Sequence, residues 1–103
     1  MFDFNGKRIL VTGATGGLGG EIARLFHSRG ALVALSGTRI EKLEALVSEL
    51  GERSHAIACN LSDGDAVDKL PEEANALLGG PVDILIANAG ITRDGLLMRM
   101  KQA

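Results

Sequence analysis

Apolar and polar positions follow two alternating periods along the chain, and this pattern predicts strands and helices in regular succession. Four short apolar runs are typical of buried strands, and apolar residues between them recur every three or four positions, as on the inner face of a helix. The predicted strands cover residues 8–12, 32–36, 55–60 and 82–87. Strands that alternate with helices favour a parallel sheet with helices on both faces.

The three intervening helices are predicted from their apolar stripes and end signals. The stripes of the first two comprise Leu18, Ile22, Leu25 and Phe26, and Leu43, Leu46, Val47 and Leu50. Thr38 and Glu41 have the spacing of a capping box, so the second helix is expected to begin there. Pro71 is expected to break the third helix, because proline lacks an N–H group. After the fourth strand, residues 96–103 are predicted to begin another helix.

This succession predicts an α/β fold, a Rossmann-like doubly wound parallel sheet of order 3-2-1-4. In such sheets the order reverses between the first and fourth strands, and ligands bind in the crevice at that point. The two unusual loops of the chain, residues 12–19 and 88–95, follow these two strands. Two independent features therefore indicate one binding site within a single unit, residues 1–103.

Five glycines lie within eight residues after the first predicted strand. Gly13 allows a tight turn, Gly17 lets the backbone approach a pyrophosphate, and Gly19 lets the helix pack closely on the strand. A plain strand-to-helix turn would need only one or two glycines, so a phosphate site at the helix N-terminus is favoured. The chain lacks the G-K-[ST] of an ATP or GTP loop. The predicted contacts are Gly13, Ala14, Thr15, Gly16, Gly17, Leu18 and Gly19, with the Thr12 hydroxyl as a further donor.

The end of the second strand reads S-G-T-R, where an NAD site would carry a carboxylate for the ribose 2′-hydroxyl. An acid would repel a 2′-phosphate, whereas Thr38 would not, and Arg39 can pair with it. Taken alone, Arg39 is equally well explained as an exposed residue at the start of a helix. With the missing acid, the pattern predicts NADP(H) as the cofactor.

Two further strand ends supply candidate contacts. Asn60 and Leu61 close the third strand and could meet the adenine, although an ordinary strand-end turn explains them equally well. Asn88, Ala89 and Gly90 follow the fourth strand, where small residues allow a ribose or nicotinamide to approach. Asn88 can also brace the turn by bonding to the backbone.

Composition narrows the class of protein. The formal net charge of −2 gives no reason to expect nucleic acid or a membrane as a partner. Cys59 is the single cysteine and lies in an apolar strand, so we expect a buried packing thiol and a cytoplasmic protein. His27 and His55 show no metal-ligand spacing, and no metal site is predicted.

Three motifs make the chain similar to the short-chain dehydrogenase/reductase family. T-G-A-T-G-G-L-G resembles its T-G-x-x-x-G-x-G turn. N-L-S-D takes the place of its Asp-Val or Asp-Leu pair, with Asn60 for the Asp, and A-N-A-G resembles N-N-A-G, with Ala87 for the first Asn. Residues 88–100, N-A-G-I-T-R-D-G-L-L-M-R-M, resemble more specifically the 3-oxoacyl-[acyl-carrier-protein] reductases of bacterial fatty-acid synthesis.

The resemblance implies that residues 1–103 are the N-terminal half of a dinucleotide-binding Rossmann domain, truncated after the fourth strand. It also implies hydride transfer from NADPH to a 3-oxoacyl thioester, with acyl carrier protein as a partner of the full-length parent. The family's catalytic Asn, Ser and Tyr-x-x-x-Lys lie beyond the matching part, and this chain contains no tyrosine. No catalytic residue is therefore expected, and the chain is predicted to be inactive alone. The alternative is a non-catalytic, self-associating fragment with an idle nucleotide site. A sheet that ends at its fourth strand would expose an apolar edge, so we expect a homo-oligomer through that strand or through the helices.

Overall fold

The computed structural model describes residues 4–14, 17–59, 64–88 and 96–100 as a five-stranded sheet with three helices. The strands are β1 (Arg8–Thr12), β2 (Leu32–Gly37), β3 (Ser54–Ala58), β4 (Ile84–Asn88) and β5 (Leu96–Met100). The helices are α1 (Gly17–Ser28), α2 (Ile40–Leu50) and α3 (Gly64–Leu78). The sheet order is β3-β2-β1-β4-β5, and the first four strands are parallel. The predicted doubly wound sheet of order 3-2-1-4 is confirmed.

The register of the parallel strands aligns their ends. Thr12 of β1 is level with Ser36 of β2 and with Ala87 of β4, and Gly37 is level with Ala58 of β3. The loops that follow these strands therefore leave from one side of the sheet. We call this side the carboxyl edge, formed by the last two residues of β1, β2, β3 and β4. The opposite side, where the same strands begin, is the amino edge.

The sheet is buried on both faces, which explains why its strands are continuous apolar runs. Ile9 and Val11 of β1 belong to the core beneath α1 and α2. Leu10 belongs to the core beneath α3, together with Leu70 and Leu78. Burial of one such side chain contributes about 1.5–3 kcal/mol. None of the helices in the described ranges is long and apolar enough to span a membrane.

The face that α1 turns toward the sheet differs from the prediction. Leu18 and Leu25 are 54% and 53% exposed, so only half of the predicted apolar stripe contacts the core. The buried and half-buried positions of α1 include Gly19, Gly20, Ile22, Ala23 and Phe26. Small residues allow the start of this helix to approach the sheet closely, and the larger leucines are left on the outer face.

The predicted beginning of α2 is also wrong. The N-cap is Arg39 rather than Thr38, with an extended backbone at φ −104° and ψ 92° and no side-chain capping hydrogen bond. Its carbonyl oxygen instead accepts hydrogen bonds from the N–H groups of Lys42 and Leu43, both at 3.1 Å. The predicted core face is confirmed, since Leu43 and Leu46 are buried.

The third helix is continuous across Pro71, so the predicted break is wrong. A proline inside a helix removes one backbone hydrogen bond, here to the carbonyl of residue 67, and crowds the preceding turn. Pro71 itself is exposed, while Leu70, Ala74 and Leu78 are buried against the sheet. Packing of this face offsets the lost hydrogen bond and keeps α3 in one piece.

Residues 96–100 form a strand and not the predicted start of a helix. β5 pairs with β4 in antiparallel fashion, from Asn88 opposite Leu96 to Ile84 opposite Met100. The far side of β4 is therefore covered, and the prediction of a homo-oligomer through an exposed fourth strand loses its structural basis. The unpaired N–H and C=O groups of an apolar strand edge need partners, and this local segment supplies them.

Candidate functional site

The turn after β1 lies at the carboxyl edge and is held in place by β2. Gly13 has a φ of +67°, in the left-handed region that favours glycine. The next N–H group, of Ala14, donates a hydrogen bond to the carbonyl oxygen of Ser36 at 3.0 Å. Ala14 is only 2% exposed. The chain thus leaves β1 in a fixed direction before it enters α1.

The N-terminus of α1 follows this turn and favours an anion. Its first three residues are Gly17, Leu18 and Gly19, whose N–H groups have no partner within the helix. None of residues 17–20 carries a carboxylate, so the first turn of the helix has no negative charge of its own to offset the partial positive charge there. The predicted contacts Thr15 and Gly16 lie outside the described residues.

Exposed polar side chains follow β2 at the same edge. Thr38 and Arg39 are both exposed, directly after the buried Gly37. The carbonyl oxygen of Gly37 accepts a hydrogen bond from the N–H of Cys59 at 2.8 Å, which ties the end of β2 to the end of β3. The Arg39 guanidinium forms no ion pair with any described residue. Among the described residues, Arg39 thus places an exposed cation at the same end of the sheet as the glycine turn. Cys59 is 5% exposed, which confirms the prediction of a buried thiol.

A buried hydroxyl without a partner lies at the end of β2. Ser36 is 1% exposed, and its Oγ has no hydrogen-bond partner among the residues that the structure describes. Leaving such a group unsatisfied costs about 1–3 kcal/mol. Ser36 is not among the contacts predicted from the sequence, because nothing in a sequence distinguishes a bonded serine from an unbonded one.

The Thr12 hydroxyl, which was expected to contact phosphate, has a partner within the sheet. It donates a hydrogen bond to the carbonyl oxygen of Ile86 on β4, at 3.5 Å. Thr12 is 6% exposed, and its hydroxyl links the two strands at which the sheet order reverses. The hydroxyl that was predicted to serve the phosphate site therefore has a partner on β4.

The backbone of β4 brings its last residue, Asn88, to the carboxyl edge beside β1. Four other predicted contacts, Asn60, Leu61, Ala89 and Gly90, lie outside the described residues. The structure thus brings together the glycine turn, the start of α1, Thr38, Arg39 and the backbone of Asn88.

Charged side chains and a histidine outside the carboxyl edge bond to other parts of the fold. The Arg24 guanidinium on α1 bonds to Glu49 on α2, with a second contact of 3.1 Å, and holds the pKa of that carboxyl below its ordinary value. His27 Nε2 lies 2.7 Å from the carbonyl oxygen of Glu52. Within the described ranges, no cluster of three His, Cys, Asp or Glu side chains could hold a metal ion.

Comparison with protein families gives one match over most of the chain. The family model described as short chain dehydrogenase matches residues 7–103. Nodulation protein G of Rhizobium sp. (strain N33) is 54% identical over 103 residues, which are 100% of this chain and 42% of that protein. The 3-oxoacyl-[acyl-carrier-protein] reductase FabG of Rickettsia conorii is 45% identical over 101 residues, 98% of this chain and 40% of that protein. The chain therefore spans about two fifths of the length of these relatives.

Solved structures with related sequences also superpose on this chain. A 3-ketoacyl-(acyl-carrier-protein) reductase from Brucella melitensis, complexed with NADH, superposes with a TM-score of 0.76 and 34% identity, covering 81% of this chain and 34% of that chain. A short-chain dehydrogenase/reductase from the same organism, described as glucose/ribitol dehydrogenase, gives a TM-score of 0.81 and 36% identity, covering 89% of this chain and 39% of that chain.

Proposed function

Because the chain belongs to the short-chain dehydrogenase family, we propose that its carboxyl edge binds a nicotinamide adenine dinucleotide. The observation that carries the proposal is the turn at Gly13, with φ +67°, which leads into a helix N-terminus free of carboxylates. Backbone N–H groups in this arrangement bind phosphate oxygens, and the helix dipole favours their negative charge. The pyrophosphate of the dinucleotide lies against residues 13–19 in this proposal.

The adenosine end of the dinucleotide lies at the end of β2, where a doubly wound fold meets the ribose. Arg39 is exposed there, and its guanidinium pairs with a 2′-phosphate. Thr38 adds a hydroxyl without a repelling charge. We therefore infer a preference for NADP(H) over NAD(H). Asn60 and Leu61 are proposed to meet the adenine, and Asn88, Ala89 and Gly90 the nicotinamide ribose.

For the whole protein we propose the reduction of a 3-oxoacyl group carried on acyl carrier protein. When bound, the reduced nicotinamide supplies a hydride to the carbonyl carbon, and the oxygen takes up a proton to give the hydroxyl. The residues described here bind and orient the dinucleotide. These 103 residues include no tyrosine to serve as the proton donor that the family resemblance implies, so we expect no turnover from this polypeptide alone.

The test is a titration of the 103-residue protein with NADPH and NADH, followed by calorimetry or nicotinamide fluorescence. Loss of one charge-assisted hydrogen bond costs about 1.5–3 kcal/mol, so Arg39→Ala is expected to weaken NADPH roughly 10- to 100-fold and to leave NADH nearly unchanged. Lys42→Ala is the matched control, because it removes an exposed positive charge three residues further along α2.

A second variant tests the phosphate site separately. Gly17→Val places a branched side chain at the start of α1, and it is expected to abolish binding of both dinucleotides while circular dichroism shows an unchanged fold. Equal losses of NADPH and NADH in Arg39→Ala would contradict the preference for NADP(H). Absence of saturable binding below millimolar concentration in the unmodified protein would instead support the non-catalytic alternative with an idle site.

A further inference from the structure

Two buried serines of the sheet differ in what their hydroxyls do. Ser54, at the amino edge, is 6% exposed, and its hydroxyl donates a hydrogen bond to the carbonyl oxygen of Gly51 at 2.6 Å. Ser36, at the carboxyl edge, is 1% exposed, and its hydroxyl meets no partner in the described part of the chain. A buried polar group that is left unsatisfied calls for an explanation, and a missing ligand is one of the few available.

The position of Ser36 identifies which part of a ligand could reach it. Ser36 lies on the same face of β2 as Ala34, two residues earlier, because side chains alternate along a strand. Ala34 belongs to the core beneath α3. The residues after Ser36 lead directly to Thr38 and Arg39, which are exposed at the carboxyl edge. This is the strand end that meets the adenosine ribose in doubly wound folds.

The backbone of Ser36 is fixed, while its hydroxyl has alternatives. The carbonyl oxygen accepts the N–H of Ala14 at 3.0 Å, and the residue is level with Thr12 on one side and Ile57 on the other. A serine side chain has three staggered rotamers, so its Oγ can turn toward a newly arrived partner without movement of the strand.

We propose that Ser36 is a positioning residue for the adenosine half of the dinucleotide. Its hydroxyl forms a hydrogen bond only when the adenosine is bound. Until then, the unsatisfied hydroxyl lowers the stability of the free protein. This inference rests on the proposed function. It has an unusual consequence: removal of the hydroxyl weakens the complex without lowering the stability of the free protein, a combination that a purely structural serine does not produce.

The experiment compares unmodified protein with Ser36→Ala and with Ser54→Ala as the matched control. Urea unfolding without ligand is measured first, and then titrations with NADPH and with ADP-ribose, which carries the adenosine end but no nicotinamide. Ser36→Ala is expected to keep or raise the unfolding midpoint and to weaken both ligands by the same factor, about 5- to 10-fold. Ser54→Ala is expected to lower the midpoint and leave both affinities unchanged.

Every other outcome contradicts either the proposed function or the role of Ser36. If the unmodified protein binds neither ligand, the proposed function and this inference both fall. If it binds and Ser36→Ala binds equally well, or loses NADPH but not ADP-ribose, only the role of Ser36 is overturned. A lowered midpoint in Ser36→Ala would show that the hydroxyl is already bonded in the free protein and would overturn it too. Ser36→Cys, similar in size but a weaker donor, is expected to have intermediate affinity.

Discussion

The two edges of the sheet use their polar groups in different ways. At the amino edge, side chains bond to the backbone of neighbouring elements. Arg8 donates from Nε to the carbonyl oxygen of Leu78 at 3.0 Å, and Arg53 donates to that of Ala31 at 2.9 Å. At the carboxyl edge, the described residues include an exposed arginine without an ion pair, Arg39, and an unpaired buried hydroxyl, that of Ser36.

This difference separates stability from binding. A polar group that is already bonded inside the fold must give up that bond before it can bind a ligand, so it adds little affinity. A group left unsatisfied gains from a ligand but lowers the stability of the free protein. The amino edge therefore holds the loops, and the carboxyl edge retains the capacity to bind. Substitutions at the amino edge should therefore mainly lower the free energy of unfolding, and substitutions at the carboxyl edge should mainly weaken dinucleotide binding.

The largest expected contrast lies between two glycines in left-handed conformations, Gly30 near the amino edge and Gly13 at the carboxyl edge. Gly30 has φ +92°, and a Cβ atom there would lie 3.0 Å from the Cα of Asn5. Gly30→Ala is expected to lower the free energy of unfolding by about 2–3 kcal/mol through strain and crowding, without changing dinucleotide affinity. Gly13→Ala should cost about 1–2 kcal/mol and weaken the dinucleotide more than about tenfold.

Urea denaturation and dinucleotide titration of both variants provide the measurement. If Gly30→Ala weakens binding as much as Gly13→Ala does, the two edges are coupled and the division proposed here is wrong.

Arg8 provides the next test. Arg8→Met keeps the apolar stem but removes the hydrogen bonds to the carbonyl oxygens of Leu78 and Gly79. We expect a loss of about 1.5 kcal/mol in the free energy of unfolding and an unchanged dinucleotide affinity. Lys7→Met, at the exposed neighbouring residue, is the control and should change neither quantity. An unaltered unfolding midpoint in Arg8→Met would show that these bonds do not stabilise the end of α3.

The antiparallel strand β5 can be tested with two adjacent prolines. Consecutive residues of an edge strand direct their N–H groups alternately toward and away from the neighbouring strand, so only one of Leu97→Pro and Met98→Pro removes a hydrogen bond to β4. That variant should lose about 1 kcal/mol and expose the apolar edge of β4. Sedimentation velocity should then detect self-association that increases with concentration. Identical behaviour of the two variants would argue against β5 as the cover of β4.

The smallest effect is expected from pH. Arg24 lowers the pKa of the Glu49 carboxyl below its ordinary value of 4.5, chiefly through a hydrogen bond. The ionised carboxyl thus stabilises the folded state above about pH 4.5, and this contribution is lost as pH falls through the lower, folded-state pKa. Both side chains are about half exposed, so the change is slight. Between pH 7 and pH 3, the unfolding midpoint of Glu49→Gln should fall slightly less than that of the unmodified protein. An equal fall in the two proteins would show that the Arg24–Glu49 pair does not contribute to stability.

Much of the candidate site was predictable because glycine positions carry backbone information. The spacing of the glycines alone predicts a turn at Gly13, and its φ of +67° agrees. Arg39 was placed at the end of β2 because the strand and helix patterns on either side locate it. Ser36 was not selected, since its importance depends on a hydrogen bond that is absent among the described residues. Whether a buried hydroxyl has a partner depends on which groups the tertiary structure brings near it, and no sequence pattern records this.

The sequence by itself determined the succession of strands and helices, because apolar runs and periodic stripes act over a few residues. The order of the four parallel strands followed from that succession through the connection rules of doubly wound sheets. Tertiary structure alone decided the face of α1, where Gly19 and Ala23 are buried and Leu18 is exposed. It also decided that residues 96–100 form a strand and not a helix. Leucine and methionine favour a helix locally, but the unpaired backbone groups along β4 offered hydrogen bonds that only a strand could complete.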